Sequence, residues 1–544
     1  MSFQNVLFIV LCFILTSCSS VVSDNSSEKV IETLEFSSDL KASLKGYIAQ
    51  PDSESPSIKK VYDMSGFVPF WVNERMELSN VGVEFSNILF KSMHYGLDTM
   101  RYDVIELRDK INGLNEIKSD ISAIELDVLL TVQYFKFSND ISRGIVDTSK
   151  YHPEFGSRKP SKDLSEYLYE SHIEGKIIEK LLDLEPQKDE YKKLQAGLAL
   201  FLTEHTLVDS SLKVHALKKK SSESDSLKIY KEAKEALVLH DYIESNQVAD
   251  SIFLKGLQVF QINHGLTPDL KVGKNTAKAL SGNPLDFYKR AAVSLEKWKL
   301  VNDWEDEYIL VNVATYKLKF YKGENLLQEH KVVVGTNANK TPELDSEIEY
   351  MVAYPFWTVP KSIRNRELVP KSKNDSTYLS RNNYQLLKGA KVIEMSRIDW
   401  KNISADNFDY TVRQRGGRSN ALGLIKYFFK NKHAVYFHDT PSKGKFMNDI
   451  RAYSHGCVRV DEPMKLAKYL LAREGEIFHI DSVQATIDKR QRKTITLQHN
   501  MPVHIRYFTA EGDEEGNIRF YPDIYRKEKE LEDIIFPKEE EIEV

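Results

Sequence analysis

The segment Ser454-His455-Gly456-Cys457-Val458-Arg459-Val460 lies shortly after the segment Val435-Tyr436-Phe437-His438-Asp439-Thr440. The apolar and aromatic residues before His438 predict a strand, and Cys457 stands at the start of a strand or turn. The 19 positions from His438 to Cys457 allow the two side chains to meet across a short loop. A thiol attacks a carbonyl only as a thiolate, so it needs a base nearby. The pair therefore predicts Cys457 as a nucleophile and His438 as its base.

Each of these two residues has a plainer interpretation when it is considered alone. A lone cysteine is often a small buried apolar residue, and a lone histidine is often a hydrogen-bonded core residue. The neighbouring Gly456 favours catalysis, because glycine lets a substrate approach the backbone closely. The N–H groups of Gly456 and Cys457 are therefore predicted to form an oxyanion hole.

The composition fits a soluble protein of several domains. A chain of 544 residues is too long for one ordinary core. Hydrophobic residues make up 41% of it and charged residues 28%, as in globular proteins. A net charge of -5 gives no indication of a nucleic-acid partner, because nucleic-acid binders usually present a basic face. Of the three cysteines, Cys12 and Cys18 lie near the N-terminus, so no disulfide framework is expected.

The N-terminal residues predict export and a lipid anchor. The apolar run Val6–Leu15 has the length of a signal-peptide core and is short for a membrane span. It leads into Leu15-Thr16-Ser17-Cys18, which resembles a lipobox, although no Lys or Arg precedes the run. We expect a lipoprotein signal peptide at 1–18, lipidation of Cys18 and a flexible tether at 19–30. An uncleaved anchor and an ordinary cleaved signal are the alternatives.

Two helical units are predicted next. Apolar residues recur at three- and four-residue spacing within 31–230, which predicts a helical scaffold domain. Its apolar stretch Gly66–Trp71 is interpreted as a core anchor. A smaller unit at 231–285 contains the string Phe260–Leu266 and resembles the helical peptidoglycan-binding domain of wall enzymes. Leu270 replaces a glycine of that family, and a plain helical spacer is the alternative.

The spacing of apolar residues changes from a helical to an alternating, strand-like pattern, which predicts an all-β domain at 286–482. The segments Lys317–Tyr321 and Glu329–Val334 alternate as strands do, and Gly323-Glu324-Asn325 between them predicts a hairpin turn. Strands within 483–530 are predicted to complete the scaffold. Residues 531–544 are predicted to form a charged tail.

A long insertion at 361–420 interrupts the β domain and is predicted to be a lid. Its basic residues suit a substrate with carboxylates, although a solvated surface loop would carry the same charges. These residues are Lys361, Arg364, Arg366, Lys371, Lys373, Arg381, Arg413, Arg415 and Arg418. The predicted fold class is multidomain α + β, with a helical scaffold and a small helical domain before an all-β domain that carries the lid.

The paired segments resemble the catalytic domain of the L,D-transpeptidase family. The shared features are a histidine, a downstream Ser-His-Gly-Cys and a basic residue two positions after the cysteine. The chain is similar to the large Gram-negative subfamily with a helical scaffold, a peptidoglycan-binding module and a capping insertion. Further similar strings are Tyr354-Pro355-Phe356-Trp357-Thr358-Val359-Pro360, Asn420-Ala421-Leu422-Gly423 and His438-Asp439-Thr440-Pro441.

This resemblance implies a role in peptidoglycan biosynthesis, cell-wall biogenesis and cell shape. Cys457 would attack meso-diaminopimelate in a donor tetrapeptide stem, release D-alanine and hold the stem as a thioester. The amine of an acceptor stem would resolve the thioester and form a 3–3 cross-link. The resemblance also implies no metal and no organic cofactor, acylation of Cys457 by carbapenems, a periplasmic location on the outer membrane, and wall-synthesis proteins as further partners.

Neighbouring residues are assigned supporting roles. His455 would shape the pocket or pack, and Arg459 would bind a substrate carboxylate or hold its loop. Ser454 is predicted to hydrogen-bond the loop backbone. Either the side chain or the backbone carbonyl of Asp439 would orient His438. The predicted substrate-binding residues are Trp357, Tyr436 and Asn420, with buried packing as the alternative for the two aromatic rings.

Other functions remain open at this point. Water as the acceptor would make the protein an L,D-carboxypeptidase, and a protein lysine as the acceptor would make it a protein-attaching enzyme. A non-catalytic peptidoglycan-binding lipoprotein would use the helical module alone. A thiol peptidase of another fold is disfavoured by the β-rich context of the cysteine.

Overall fold

The computed structural model describes residues 36–49, 56–147, 163–301, 304–404, 407–475 and 479–537. The predicted signal peptide at 1–18, its Cys18 and the tether at 19–30 lie outside these residues. Among the described helices, none combines the length and the apolar content that crossing a membrane requires.

The N-terminal part is helical, as its three- and four-residue apolar spacing predicts. One buried core joins most of these helices. The helices are Ser38–Ile48, Pro56–Ser65, Asn80–Phe90, Val104–Glu116, Asp120–Arg143, Leu164–Ile173, Ile177–Leu182 and Asp189–Glu204, with 3-10 turns at Ser92–Tyr95 and Thr99–Tyr102.

The stretch Gly66–Trp71 is a core anchor, as predicted. Phe70 and Trp71 are buried in the helical core. The carboxylate of the buried Asp127 accepts hydrogen bonds from the N–H groups of Phe70, Trp71 and Val72. These bonds satisfy backbone donors that would otherwise lie unpaired in the core.

The small helical unit contains the helices Glu223–Leu239, Asp250–Asn263 and Lys274–Leu280 around its own core. Leu270 adopts a φ of 61°, the left-handed conformation that a glycine adopts without strain. Its N–H donates to Oε1 of Gln261 at 3.0 Å. The turn therefore keeps a glycine-like backbone although leucine occupies it.

The helix Pro284–Lys299 lies between the helical part and the sheet. Its residues share one core with the helix Asp189–Glu204 and with Phe508 and Phe520 from the C-terminal part. On another side, its Glu296 accepts hydrogen bonds from the N–H groups of Ile145 and Val146 at 2.5 and 2.7 Å. This helix therefore ties the scaffold to the sheet.

The sheet-rich part is built on a nine-stranded sheet in the order β11-β3-β12-β10-β9-β4-β13-β1-β2, and β2 also pairs with β3. That additional pairing closes the strands from β3 to β2 into a ring, so this part is a barrel around one apolar core. The strands are β1 (Glu307–Asn312), β2 (Lys317–Lys322), β3 (Asn325–Gly335), β4 (Leu344–Ala353), β9 (Ile425–Phe429), β10 (Phe437–His438), β11 (Ala452–Ser454), β12 (Val458–Val460) and β13 (Lys493–Arg506).

Two helices, Pro463–Ala472 and Ile480–Asp488, pack their apolar faces on the barrel core. The hairpin of β2 and β3 turns at the predicted position, since only Gly323 and Glu324 lie between the two strands. A helical N-terminal part followed by a sheet-rich part confirms the predicted multidomain α + β fold class.

The lid forms a compact unit. A four-stranded sheet in the order β5-β8-β6-β7 covers its own apolar core. The strands are β5 (Trp357–Thr358), β6 (Tyr384–Lys388), β7 (Lys391–Ile393) and β8 (Thr411–Gln414). Short helical segments at Lys361–Ile363, Arg364–Leu368, Val369–Asn374, Tyr378–Arg381 and Met395–Arg397 connect them.

Two predictions for the C-terminal part are wrong. The strand β13 was assigned to the scaffold within 483–530, but it lies inside the barrel, parallel to β1 and antiparallel to β4. The following hairpin, β14 (Ala510–Gly512) and β15 (Ile518–Phe520), joins the core of the helix Asp189–Glu204 together with Phe508. The predicted tail at 531–544 begins inside the helix Glu528–Ile535, because Leu531 and Ile535 are buried against Val293.

Candidate active site

The strands β9, β10 and β12 bring the two central residues of the site together. His438 pairs with Lys426 of β9 on one side and with Arg459 of β12 on the other. Directly paired residues share a face of the sheet, as do residues two positions apart on one strand. Cys457, two residues before Arg459, therefore shares a face with His438. The alternate residues Phe437, Val458 and Tyr427 fill the barrel core.

His438 is held as a neutral imidazole. Its side chain is 5% exposed, and its Nδ1 lies 2.5 Å from the carbonyl oxygen of Asp439. Nδ1 therefore carries the proton and donates it, which leaves Nε2 as the acceptor. Burial, followed by the positive charges of Arg459 and Lys426, lowers the pKa of His438 to about 3.

Cys457 is a partly exposed free thiol immediately before β12. Its Sγ lies 3.9 Å from the carbonyl oxygen of Ala434. Burial raises the pKa of this thiol, whereas hydrogen bonding by Tyr436 and the charges of Lys426 and Arg459 lower it. The resting site therefore combines a neutral thiol with a neutral imidazole, rather than a thiolate with an imidazolium.

Aromatic residues line the thiol. Tyr436 is half-buried and lies beside Cys457 on the neighbouring strand, because the N–H of Val458 donates to the carbonyl oxygen of Tyr436 at 3.1 Å. The ring centroids of Tyr436 and His438 lie 5.7 Å apart. Trp357 belongs to the first strand of the lid. Substrate contact by Trp357 and Tyr436 stays a prediction.

The loop before Cys457 is fixed by Ser454, in agreement with the role predicted for it. Ser454 Oγ donates to the carbonyl oxygen of Cys457 at 2.5 Å and accepts from the N–H of Gly456 at 3.1 Å. Gly456 has a φ of 112°, a backbone conformation that favours glycine. Its N–H is engaged by Ser454, so the prediction that this group faces an oxyanion is wrong for this conformation.

Asp439 acts through both its backbone and its carboxylate. Its carbonyl oxygen orients His438, which settles the alternative that the sequence left open. Its carboxylate accepts hydrogen bonds from Leu424 N–H at 2.8 Å, Thr440 N–H at 2.7 Å and Lys443 Nζ at 2.7 Å. The carboxylate therefore holds the backbone that in turn holds the imidazole.

The segment Asn420-Ala421-Leu422-Gly423 packs against the carboxylate of Asp439. Gly423 has a φ of 61°, and a Cβ at this position would collide with the carboxylate of Asp439. Asn420 is fully buried, donates to the carbonyl oxygen of Arg415 at 2.8 Å and accepts from Leu422 N–H at 2.7 Å. The prediction that Asn420 contacts substrate is wrong, because its side chain is buried and hydrogen-bonded within its own loop.

Two further predicted residues lie on either side of Cys457 in the sequence. His455 is about half exposed, and its Nε2 lies 2.7 Å from Oε1 of Glu367 in the lid. Arg459 is half-buried, and its Nε is buried without a hydrogen-bond partner within the described part of the chain. Its guanidinium charge lowers the pKa of the thiol, and the binding of a substrate carboxylate by Arg459 stays a prediction.

Sequence reasoning missed Lys426 and Glu367. Lys426 stands between buried Ile425 and Tyr427 in a central strand, where a charged residue is uncommon. That pattern could have identified Lys426, whereas nothing local in the sequence connects Glu367 with His455. In the residues that the structure describes, no group of three His, Cys, Asp or Glu side chains is arranged to hold a metal ion.

Comparison with known proteins identifies the two main parts of the chain. Residues 306–504 match the family model described as the L,D-transpeptidase catalytic domain, YkuD, and residues 56–198 match the one described as the Scaffold domain. The first match runs through most of β13, in line with its place in the barrel. The remaining predicted domain boundaries stay predictions.

A curated protein of Haemophilus influenzae, named "Putative L,D-transpeptidase", is 34% identical over 244 residues. The alignment covers 45% of this chain and 49% of that protein, so the chain spans about half the length of this relative. A solved L,D-transpeptidase from Stackebrandtia nassauensis is 11% identical, covering 55% of this chain and 97% of that one. Its TM-score of 0.20 is too low to bear on the fold. The chain therefore carries an L,D-transpeptidase catalytic domain of the YkuD family behind an N-terminal scaffold domain.

Proposed function

We propose that this protein is a peptidoglycan L,D-transpeptidase that forms 3–3 cross-links through a thioester on Cys457. One observation carries the proposal. The partly exposed thiol of Cys457 shares a sheet face with His438, whose free Nε2 can accept its proton. A thiol and an oriented neutral imidazole on adjacent strands are the parts that acyl transfer requires.

In the first half of the reaction, Sγ of Cys457 attacks the carbonyl of meso-diaminopimelate in the donor stem. The thiol proton passes to Nε2 of His438, and a carbon–sulfur bond forms. The bond to D-alanine then breaks, and His438 returns the proton to the leaving amine. The Asp439 carbonyl oxygen, which accepts from Nδ1, keeps the ring in the required tautomer throughout.

In the second half, the side-chain amine of an acceptor stem attacks the thioester. His438 takes a proton from this amine and gives it to the departing sulfur, which restores the thiol. The acceptor must reach the thioester faster than water does. Arg459, whose Nε lacks a partner among the described residues, would hold a carboxylate of the stem peptide.

The experiment that tests this function is acylation followed by product analysis. Incubation with a carbapenem should add the mass of one drug molecule to the wild-type protein and none to a Cys457→Ala variant. An unmodified wild type, or an adduct on the variant, would contradict the mechanism. With purified muropeptides, 3–3 dimers support the transpeptidase, and trimmed tripeptides alone would show a carboxypeptidase. A wall-binding lipoprotein without catalysis would keep its function in Cys457→Ala.

We also propose that the protein is exported to the periplasm and anchored to the outer membrane through lipid on Cys18. The apolar run and the lipobox-like string of the sequence support this. Metabolic labelling with a palmitate analogue should mark the wild type and not Cys18→Ala. Equal labelling of both proteins would refute the anchor.

A further inference from the structure

A lysine lies unexpectedly close to the thiol. Nζ of Lys426 stands 3.7 Å from the centroid of the Tyr436 ring, within cation–π range. Tyr436 and Cys457 lie side by side, because Phe437 pairs with Val458 and the N–H of Val458 donates to the carbonyl oxygen of Tyr436 at 3.1 Å. Lys426, Tyr436 and Cys457 therefore lie next to one another on the face of the sheet that also carries His438.

Lys426 has no acidic partner in the part of the chain that the structure describes, since no ion pair joins it there to a carboxylate. Burial lowers the pKa of its ammonium, Arg492 acts in the same direction, and Cys457 opposes them. A half-buried cation without a counter-charge costs stability in the resting protein. That cost is offset once a negative charge develops beside it.

The phenol of Tyr436 is half-buried beside Cys457, so its O–H can turn toward a thiolate that forms there. Burial and the nearby thiol raise the pKa of Tyr436, so the phenol keeps this proton at neutral pH.

We propose that Tyr436 is a catalytic residue that donates its O–H to the Cys457 thiolate, and that Lys426 is a positioning residue that holds and polarises the phenol. When the S–H bond breaks, the proton moves to Nε2 of His438, and the new thiolate accepts the Tyr436 hydrogen bond. Such bonds shorten and strengthen when charge develops on the acceptor. The idea rests on the proposed function only in taking Cys457 as the nucleophile.

The same arrangement stabilises the thiolate in addition to the imidazolium that forms when His438 takes the proton. The charged and titratable groups that face the thiol are Lys426 from β9, Tyr436 and His438 from the β10 segment and Arg459 from β12. The pair of His455 and lid residue Glu367 lies beyond them, two positions from Cys457 along the chain. His438 is neutral before it takes the thiol proton, so in the resting site the groups that favour the thiolate are the phenol and the two cations.

The test is the pH dependence of alkylation by iodoacetamide, followed by intact mass from pH 5 to 10. In Lys426→Met and in Tyr436→Phe, we expect the midpoint to rise by about one pH unit, which is a tenfold loss of thiolate below the midpoint. The measured rate falls less, because a thiol of higher pKa is intrinsically more nucleophilic. Lys426→Arg should restore the wild-type midpoint. Lys430→Met, which removes an exposed lysine just after β9, should leave it unchanged.

An unchanged midpoint in either Lys426→Met or Tyr436→Phe, with thermal unfolding like that of the wild type, overturns the proposal. If Lys426→Met does not fold, Tyr436→Phe still decides, because its half-buried ring is kept. Alkylation needs no stem peptide. A shifted midpoint in a protein that no carbapenem acylates would therefore leave this inference standing and refute the transpeptidase function alone.

Discussion

The carbonyl oxygen of Asp439 accepts a hydrogen bond from Nδ1 of His438 at 2.5 Å, while the carboxylate of the same residue binds the loop at Leu424, Thr440 and Lys443. The backbone of Asp439 therefore sets the tautomer of the base, and its side chain sets the position of that backbone. This division of roles differs from a carboxylate that contacts the imidazole directly.

Replacement of Asp439 by alanine should reduce the stability of the protein more than it reduces carbapenem acylation. The buried donors left unpaired should reduce the free energy of unfolding by about 1–3 kcal/mol, measured by urea denaturation. Carbapenem acylation should stay measurable, because the carbonyl oxygen remains. Asp409→Ala removes an exposed carboxylate and should change stability by less than about 0.5 kcal/mol. A loss of acylation as complete as in His438→Ala would contradict this view.

Gly423→Ala should impair His438 as a base indirectly, through Asp439. The added Cβ collides with the carboxylate of Asp439 and displaces the backbone that orients His438. We expect at least a tenfold slower acylation, together with lower stability. Gly389→Ala is the matched control, since its φ of 59° imposes similar backbone strain with nothing within 4 Å of the new Cβ. That control should cost about 1 kcal/mol from strain and leave acylation intact. Equal effects of the two substitutions would argue against the collision.

The contact between Nε2 of His455 and the carboxylate of Glu367 should hold the lid near the thiol. A partly exposed pair contributes under about 1 kcal/mol, so Glu367→Gln should hardly change the unfolding free energy. Hydrogen exchange across 361–420 should nevertheless become faster. Glu394→Gln breaks an exposed pair with Arg397 inside the lid and serves as the control. Identical exchange in wild type and Glu367→Gln would show that the pair does not restrain the lid.

The neutral imidazole of His438 should make part of the stability dependent on pH. Its pKa of about 3 in the folded protein lies below the value of about 6.5 for an unfolded chain. The unfolded chain therefore binds the proton first, and stability is lost as the pH falls from about 6.5 toward 3. The difference in unfolding free energy between wild type and His438→Gln should shrink by about 2 kcal/mol between pH 7.5 and 5. A difference independent of pH would contradict a buried neutral histidine.

Much of the framework could be predicted from local patterns. The hairpin around Gly323 and Glu324 follows from alternation and turn chemistry, and the helical scaffold from its apolar spacing. Cys457 and His438 can be singled out as candidates because one short segment carries each residue, and their catalytic roles stay predictions. Ser454 was assigned correctly, because a serine beside a tight turn commonly binds its own loop.

The errors arose where distant segments meet. The position of β13 depends on which of several apolar strands pairs with β1, and the sequence of β13 alone does not specify a partner. Asn420 was expected to contact substrate, since its burial becomes visible only once its loop is closed. The pairing of β9 with β10 places Lys426 beside His438. The folding of the lid over the site places Glu367 beside His455.

The place of Lys493–Arg506 between β1 and β4 has a consequence for biosynthesis. A ribosome delivers this strand after the other strands of the barrel. Until it arrives, the sheet has two open edges that can join other chains. The thiol therefore acquires its working environment only after residues 493–506 have emerged, and a product that stops near residue 490 would be inert and prone to aggregate.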